Sequence, residues 1–230
     1  MAGVRRLAFL LVAWLPMAAQ QPLTPFQDQK ARALLRSNLP CLGCHELDGD
    51  GGRSAPSLTT VGERRSAAYI RAIVENPQAV LPGVAMPTHV MATATRELIV
   101  RFLSRNAHGS DTRVPASQPR VPAAGPLDGS ALYARWCASC HGSGGAGDGP
   151  NAKHLPVPPA VHTNATLMGA RSDDMLHDAI AGGGTVLGKS ARMPAFGGTL
   201  SRAEVRALVH QLRAFCRCEG PAWSRGVAAP

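Results

Sequence analysis

The chain has 230 residues, a length that suits one large domain or two small domains joined by a linker. Aromatic residues make up only 4% of it, whereas glycine (24) and proline (19) are plentiful, so two small cores would lack bulky apolar side chains. The net charge of +9 comes from dispersed basic residues, which is compatible with a solvated surface or with attraction to an anionic partner.

Residues 1–20 have the pattern of a secretory signal peptide, with Arg5 and Arg6 ahead of the apolar stretch Leu7–Leu15. This stretch is about half of the roughly 20 apolar residues that a membrane-spanning helix needs. We therefore predict a periplasmic mature chain without a transmembrane segment, whose net charge falls to +7 when Arg5 and Arg6 leave. An uncleaved amphipathic anchor is the alternative. Export makes a nucleic-acid partner improbable.

The first predicted helix, Gln27–Ser37, is followed by the sequence Cys41-Leu42-Gly43-Cys44-His45. A glycine-rich loop and a Met86-Pro87 pair come next, and Glu97 lies eleven positions after the methionine in an amphipathic helix. The apolar face of that helix consists of Leu98, Phe102 and Leu103.

The same order of elements recurs 96 positions later along the chain. A short helical stretch, Ser130–Trp136, precedes Cys137-Ala138-Ser139-Cys140-His141, and a glycine-rich loop follows. Met193-Pro194 then lies eleven positions before Glu204. The apolar face of this last helix consists of Val205, Leu208, Val209 and Leu212. The chain is therefore predicted to contain two copies of one domain.

The segment between the copies carries four prolines among small polar residues, which is typical of an extended, semi-rigid tether. We predict a signal peptide at residues 1–20, a first domain at 21–105, a linker at 106–126, a second domain at 127–215 and a tail at 216–230.

A CxxCH segment on a helical turn places two sulfurs on one side, where each can form a thioether with a haem vinyl group, and directs the next imidazole at the iron. Cys41, Cys44, Cys137 and Cys140 are accordingly predicted to attach two haem c groups covalently. A single CxxC also occurs in thioredoxin-type redox pairs, disulfides and zinc sites, but two CxxCH copies in an exported chain favour haem.

Over nearly the whole mature chain, the motifs resemble the class I cytochrome c family in two tandem copies. The matching elements are the first helix, CxxCH, the glycine-rich loop, the Met-Pro pair and the closing helix. The resemblance implies an all-α fold of two domains, each wrapped around one covalent haem and joined by the proline-rich linker. The porphyrin would then supply the apolar bulk that each core lacks.

The resemblance also implies the axial ligands of the haem irons, His45 with Met86 and His141 with Met193. His89 and Met91 lie close to Met86 and are alternatives for the first haem, and Met168 and Met175 are weaker alternatives for the second. Family members orient the proximal imidazole through the carbonyl of a proline. The candidates here are Pro56 in the first domain and, less clearly, Pro150 in the second.

Several residues fall outside the family pattern. Cys216 and Cys218 could form a disulfide, link to another subunit, bind copper or stay reduced. The remaining histidines lack the spacing of a second metal site and are expected to be ordinary surface or packing residues: His108, His154, His162, His177 and His210.

An iron with histidine and methionine on both axial positions has no open site for a substrate. The predicted function is therefore single-electron transfer between redox proteins, from a respiratory complex or dehydrogenase to a terminal acceptor, and not catalysis. Partners with acidic docking surfaces would suit the basic chain. The alternatives are a dihaem enzyme of the peroxidase-like or thiosulfate-oxidising kind, and a cytochrome subunit of a larger dehydrogenase or oxidase.

Overall fold

The computed structural model describes residues 22–107 and 127–224. The predicted signal peptide, most of the predicted linker (108–126) and the last residues of the tail (225–230) lie outside the described residues. Helices dominate what is described, which confirms the all-α prediction. None of the helices in the two described ranges is long and apolar enough to cross a bilayer.

Residues 22–107 contain five α-helices and one small hairpin. The helices are α1 (Pro25–Ser37), α2 (Val61–Arg64), α3 (Ala67–Glu75), α4 (Pro77–Val80) and α5 (Thr93–Leu103). A 3₁₀ turn at Pro40–Gly43 follows α1, and strands β1 (Glu46–Leu47) and β2 (Asp50–Gly51) then pair in antiparallel register. The hairpin places the chain after His45 back against the 3₁₀ turn, since the Gly52 amide donates to the carbonyl of Leu42 at 2.9 Å.

Residues 127–224 also contain five α-helices. They are α6 (Gly129–Trp136), α7 (Ala138–His141), α8 (Ala165–Gly169), α9 (Asp173–Gly182) and α10 (Arg202–Cys216). Three 3₁₀ turns complete the described elements, at Ala152–His154, Gly184–Leu187 and Ala222–Ser224. The predicted helices Gln27–Ser37 and Ser130–Trp136 correspond to α1 and α6, which begin two and one residues earlier.

Side-chain caps fix where the long helices begin. Thr24 and Gln27 form a reciprocal capping box at the start of α1, and Ser201 and Glu204 form another at the start of α10. Glu97, the counterpart of Glu204 in the first half, has a different role, because its carboxylate forms an ion pair with Arg71 of α3. The two glutamates lie at the same spacing after the methionine of each half, but they stabilise different contacts.

Each half has its own hydrophobic core. In the first, α1 and α5 pack together around Leu35, Ile99 and Phe102, all of which are buried. In the second, α6 packs across α10, and Tyr133 and Leu208 are buried between them. Both cores consist largely of aliphatic side chains, as the low aromatic content requires.

The crossing of α6 and α10 depends on a glycine. A Cβ atom added at Gly129 would lie 2.4 Å from the carbonyl oxygen of Ala207 and 3.3 Å from Cβ of Gln211. Real Cβ atoms do not approach a backbone oxygen so closely, so any larger residue would force the two helices apart.

We therefore expect Gly129→Ala to lower the free energy of unfolding by about 1–3 kcal/mol, because overpacking separates α6 from α10. Urea unfolding followed by circular dichroism measures this change. Gly144→Ala is the matched control, since a Cβ there meets no heavy atom within 4 Å. Equal stability of the two variants would show that the crossing tolerates a methyl group.

Candidate haem attachment sites

The two CxxCH segments adopt the same backbone turn. In the first, the amides of Cys44 and His45 both donate to the carbonyl of Cys41, at 3.3 and 2.9 Å. In the second, the amides of Cys140 and His141 both donate to the carbonyl of Cys137, at 3.2 and 3.0 Å. Residues three positions apart in such a turn lie on one side of it, so each pair of sulfurs faces the same way.

Each histidine ring is oriented by a backbone carbonyl. Nδ1 of His45 donates to the carbonyl oxygen of Pro56 at 2.7 Å, and Nδ1 of His141 donates to that of Ala160 at 3.0 Å. Nε2 is thereby left as the nitrogen that can bind a metal, with its lone pair available. The partner in the second half is Ala160 and not Pro150, because the glycine-rich loop is long enough to bring a later residue to the imidazole.

The four motif cysteines are unpaired thiols, and all are half-buried. Burial raises the pKa of the Cys41 and Cys44 thiols to about 11, that of Cys137 to about 12, and that of Cys140 in the same direction. Reactive dithiol pairs of the thioredoxin type have lowered pKa values instead. The environment of these cysteines therefore differs from that of a dithiol redox site.

This donor set fits a covalently attached haem. Each segment offers two thiols on one side of a turn and an imidazole whose Nδ1 is already engaged, which leaves Nε2 for the iron. Burial also lowers the pKa of His45 and His141, so that both rings favour the neutral form that coordinates metals. Among residues 22–107 and 127–224, no group of three or more His, Cys, Asp or Glu side chains is placed to hold a metal ion.

The predicted distal ligands lie in loops at corresponding places in the two halves. Met86 lies between α4 and α5, where its carbonyl accepts a hydrogen bond from Nε2 of Gln78 at 3.2 Å. Met193 follows the Gly184–Leu187 turn, and its carbonyl accepts from the Gly184 amide at 3.1 Å. Both methionine side chains are half-buried.

The alternative ligands differ in their surroundings. Met168 is 1% exposed and packs in the second core, whereas Met175 is 39% exposed on α9. In the first half, His89 and Met91 are half-buried in the same loop as Met86, and the buried Nδ1 of His89 has no hydrogen-bond partner among the described residues. His89 and Met91 are thus half-buried like Met86, whereas Met168 and Met175 differ in burial from Met193.

His162 has a role that its place in the sequence does not reveal. We expected a surface or packing residue, and His162 is a packing residue: it is 9% exposed, and its ring stacks on that of His141, with centroids 4.2 Å apart and planes 18° from parallel. The hydroxyl of Tyr133 and Nδ1 of His162 are hydrogen-bonded at 2.9 Å. His141 is thus held by a buried aromatic pair as well as by the Ala160 carbonyl.

The remaining cysteines, Cys216 and Cys218, form a disulfide at the end of α10, the first of the alternatives considered above. Cys216 is buried in the second core, and Cys218 packs against the edge of that core. The bridge therefore fixes the chain as it leaves the last long helix.

Comparison with known families assigns a model to each half. The model for cytochrome c matches residues 30–101, and the model for subunit III of cbb3-type cytochrome c oxidase matches residues 124–210. Each matched range contains one CxxCH motif. No curated protein matches the chain. Among solved structures, the chain is similar to one in the reducing HAO-like protein complex of Kuenenia stuttgartiensis. The two are 20% identical, and the alignment covers 76% of this chain and 79% of the other, with a TM-score of 0.32.

The Tyr133–His162 pair leads to a test of stability. Tyr133→Phe removes one hydroxyl and leaves Nδ1 of His162 buried without its partner, so we expect the free energy of unfolding to fall by about 1–3 kcal/mol. Thermal or urea unfolding measures the loss. Tyr69→Phe makes the same chemical change at a half-exposed position of α3 and should alter stability by less than about 0.5 kcal/mol. Similar losses in both variants would contradict a supporting role for the pair.

Proposed function

Since the chain belongs to the class I c-type cytochromes, with one domain of the family in each half, we propose that it is a periplasmic dihaem carrier of single electrons between redox proteins. The observation that carries this proposal is the repeated turn that combines two thiols with an oriented imidazole. A chain with two such turns holds two haem groups, attached through Cys41 and Cys44 and through Cys137 and Cys140.

Haem bound at these turns supplies an iron that alternates between ferrous and ferric states. His45 and His141 would bind the iron through Nε2, because Nδ1 of each is engaged by a carbonyl. Met86 and Met193 would supply the second protein ligands, whose soft thioether sulfurs favour the ferrous form and raise the potential relative to a second histidine.

With a histidine and a methionine bound to each iron, no position would be open to a substrate, and such ligation would suit a carrier rather than an enzyme. At the first haem, His89 is the alternative to Met86 as the second protein ligand of the iron. A second imidazole in place of Met86 would lower the potential of the first haem without opening a coordination position.

The proposed location rests on the signal-like residues 1–20 and on the chemistry of the tail. A disulfide such as Cys216–Cys218 persists in oxidising compartments, which include the bacterial periplasm. The basic composition of the chain, with a pI of about 10, would favour redox partners with acidic docking surfaces.

A second candidate is a cytochrome subunit of a larger oxidase or dehydrogenase. The match of residues 124–210 to subunit III of cbb3-type oxidase favours it. The chemistry at the two irons would be the same, and only the assembly would differ. Stable co-purification with a catalytic subunit from native membranes would support this candidate, whereas recovery as a free protein would support the shuttle.

Haem content tests the proposal directly. Expressed with a haem-attachment system, the chain should carry two covalent haems by the mass and absorbance of the denatured protein, and the double variant Cys41→Ala/Cys44→Ala should carry one. Cys216→Ala/Cys218→Ala is the control, because it removes a cysteine pair outside the motifs and should retain both haems. A chain without covalent haem would overturn the proposal.

The distal ligands are tested by spectroscopy. We expect the oxidised protein to show the iron–thioether charge-transfer band and the ferrous protein to bind no carbon monoxide, because methionine occupies each distal position. Met86→Ala and Met193→Ala should each remove part of the band and open one haem to carbon monoxide. Met175→Ala, on the exposed side of α9, should change neither. If His89→Ala opens the first haem and Met86→Ala does not, the first site is bis-histidine.

A further inference from the structure

The two haem attachment segments lie against each other. The carbonyl oxygen of Gly43, between the two cysteines of the first motif, is 3.8 Å from Sγ of Cys140 in the second. Gly43 is buried, and Cys140 is half-buried. The peptide of one motif therefore contacts a sulfur that would itself be bonded to the other haem.

Asn151 joins the two segments through hydrogen bonds. Its side chain is 1% exposed, and Nδ2 donates to the carbonyl of Gly43 at 3.1 Å and to Oγ of Ser54 at 2.7 Å. Its Oδ1 accepts from the amide of Arg53 at 2.9 Å, and its own amide donates to the carbonyl of Ser139 at 2.9 Å. One buried residue thus connects the first motif and the loop after it, through its side chain, to the second motif, through its backbone amide.

Arg192 closes the same contact from the other side. It is 7% exposed, and its guanidinium forms an ion pair with Asp50 at 2.8 Å and donates to the carbonyl of Leu42 at 3.4 Å. It directly precedes Met193, the predicted distal ligand of the second haem. The loop of one distal ligand is therefore fixed to the attachment segment of the other haem.

These hydrogen bonds and the ion pair hold the two segments together, and the contact between them has no space for a side chain at Gly43. If the halves separated, the amide of Asn151 and the guanidinium of Arg192 would lose these partners. A Cβ atom at Gly43 would lie 2.2 Å from the carbonyl oxygen of Arg192. The contact therefore requires glycine at a motif position that otherwise has no role in binding haem.

We propose that the Gly43–Cys140 contact, held by Asn151 and Arg192, is the route by which electrons pass between the two haems. This proposal rests on the function proposed above. Haem bound at each motif would supply an iron that gives or takes one electron, so a transfer between the two would exchange no proton and no bond. The route runs from the Cys44 thioether through the Gly43 peptide to the Cys140 thioether. Gly43, Asn151 and Arg192 are positioning residues for this transfer.

The experiment measures electron exchange in half-reduced protein by two-dimensional exchange NMR of the haem methyl groups, at several protein concentrations. In the wild type, we expect exchange between the two haems of one molecule at a rate independent of concentration. Gly43→Ala should slow it about tenfold or more, equivalent to a barrier about 1.4 kcal/mol higher, because the added methyl group separates the segments.

Gly144→Ala is the matched control, because it makes the same chemical change at a glycine where an added Cβ meets no heavy atom within 4 Å. The exchange rate of this variant should stay within about twofold of the wild type. A concentration-dependent rate in the wild type, or an unchanged rate in Gly43→Ala, would overturn the proposed route.

Asn151→Ala gives a second measurement that leaves both motifs intact. It removes the hydrogen bonds to Gly43, Arg53 and Ser54, and we expect slower exchange with both haems still attached. Asn38→Ala, at an exposed asparagine after α1, should leave the rate unchanged. Haem content and the thioether band are recorded for every variant, so a failure of haem attachment or ligation is distinguished from a failure of the route.

Discussion

The hydrogen bond from each imidazole Nδ1 to a backbone carbonyl constrains much of the surrounding structure. It decides which ring nitrogen can face the iron, and it requires the loop after each motif to return to the histidine. In the first half, the loop returns after 11 residues and is shaped by a two-stranded hairpin. In the second half, it returns after 19 residues, and glycines rather than strands allow the path. The same constraint is thus met by two different loops.

Because the loop between His141 and Ala160 is longer than its counterpart in the first half, the surroundings of His141 differ from those of His45. A loop that ends at Ala160 brings His162 beside His141, and Tyr133 from α6 completes the buried pair. The first half has no counterpart to this arrangement among its described residues, since His45 is oriented by the Pro56 carbonyl alone. Two haems with the same ligands would therefore sit in unlike environments, which is one source of unequal potentials.

The sequence was sufficient for features that depend on local spacing. Helical periodicity located α1, α6 and the two closing helices, and the CxxCH repeat located both turns. It could not identify contacts that depend on loop paths, because a glycine-rich loop of unknown course does not reveal which carbonyl will meet His141. Pro150 is closer in sequence, but Ala160 makes the contact. The stacking of His162 on His141 was missed for the same reason, since nothing in the neighbours of His162 marks it as buried.

Contacts between the two halves were also beyond prediction. Asn151 and Arg192 belong to no motif, and a proline-rich tether gave no indication that the domains would share buried polar groups. Such residues become visible only when the packing of one attachment segment against the other is known.

The packing of Gly43 against Cys140 has a consequence for how substitutions at the first motif act. Gly43 is buried, and a side chain there would meet the carbonyl oxygen of Arg192, which directly precedes Met193. A single change between the two cysteines of the first motif would therefore disturb the loop of the second half as well. The two attachment segments cannot vary independently of each other, although they lie almost a hundred positions apart in the chain.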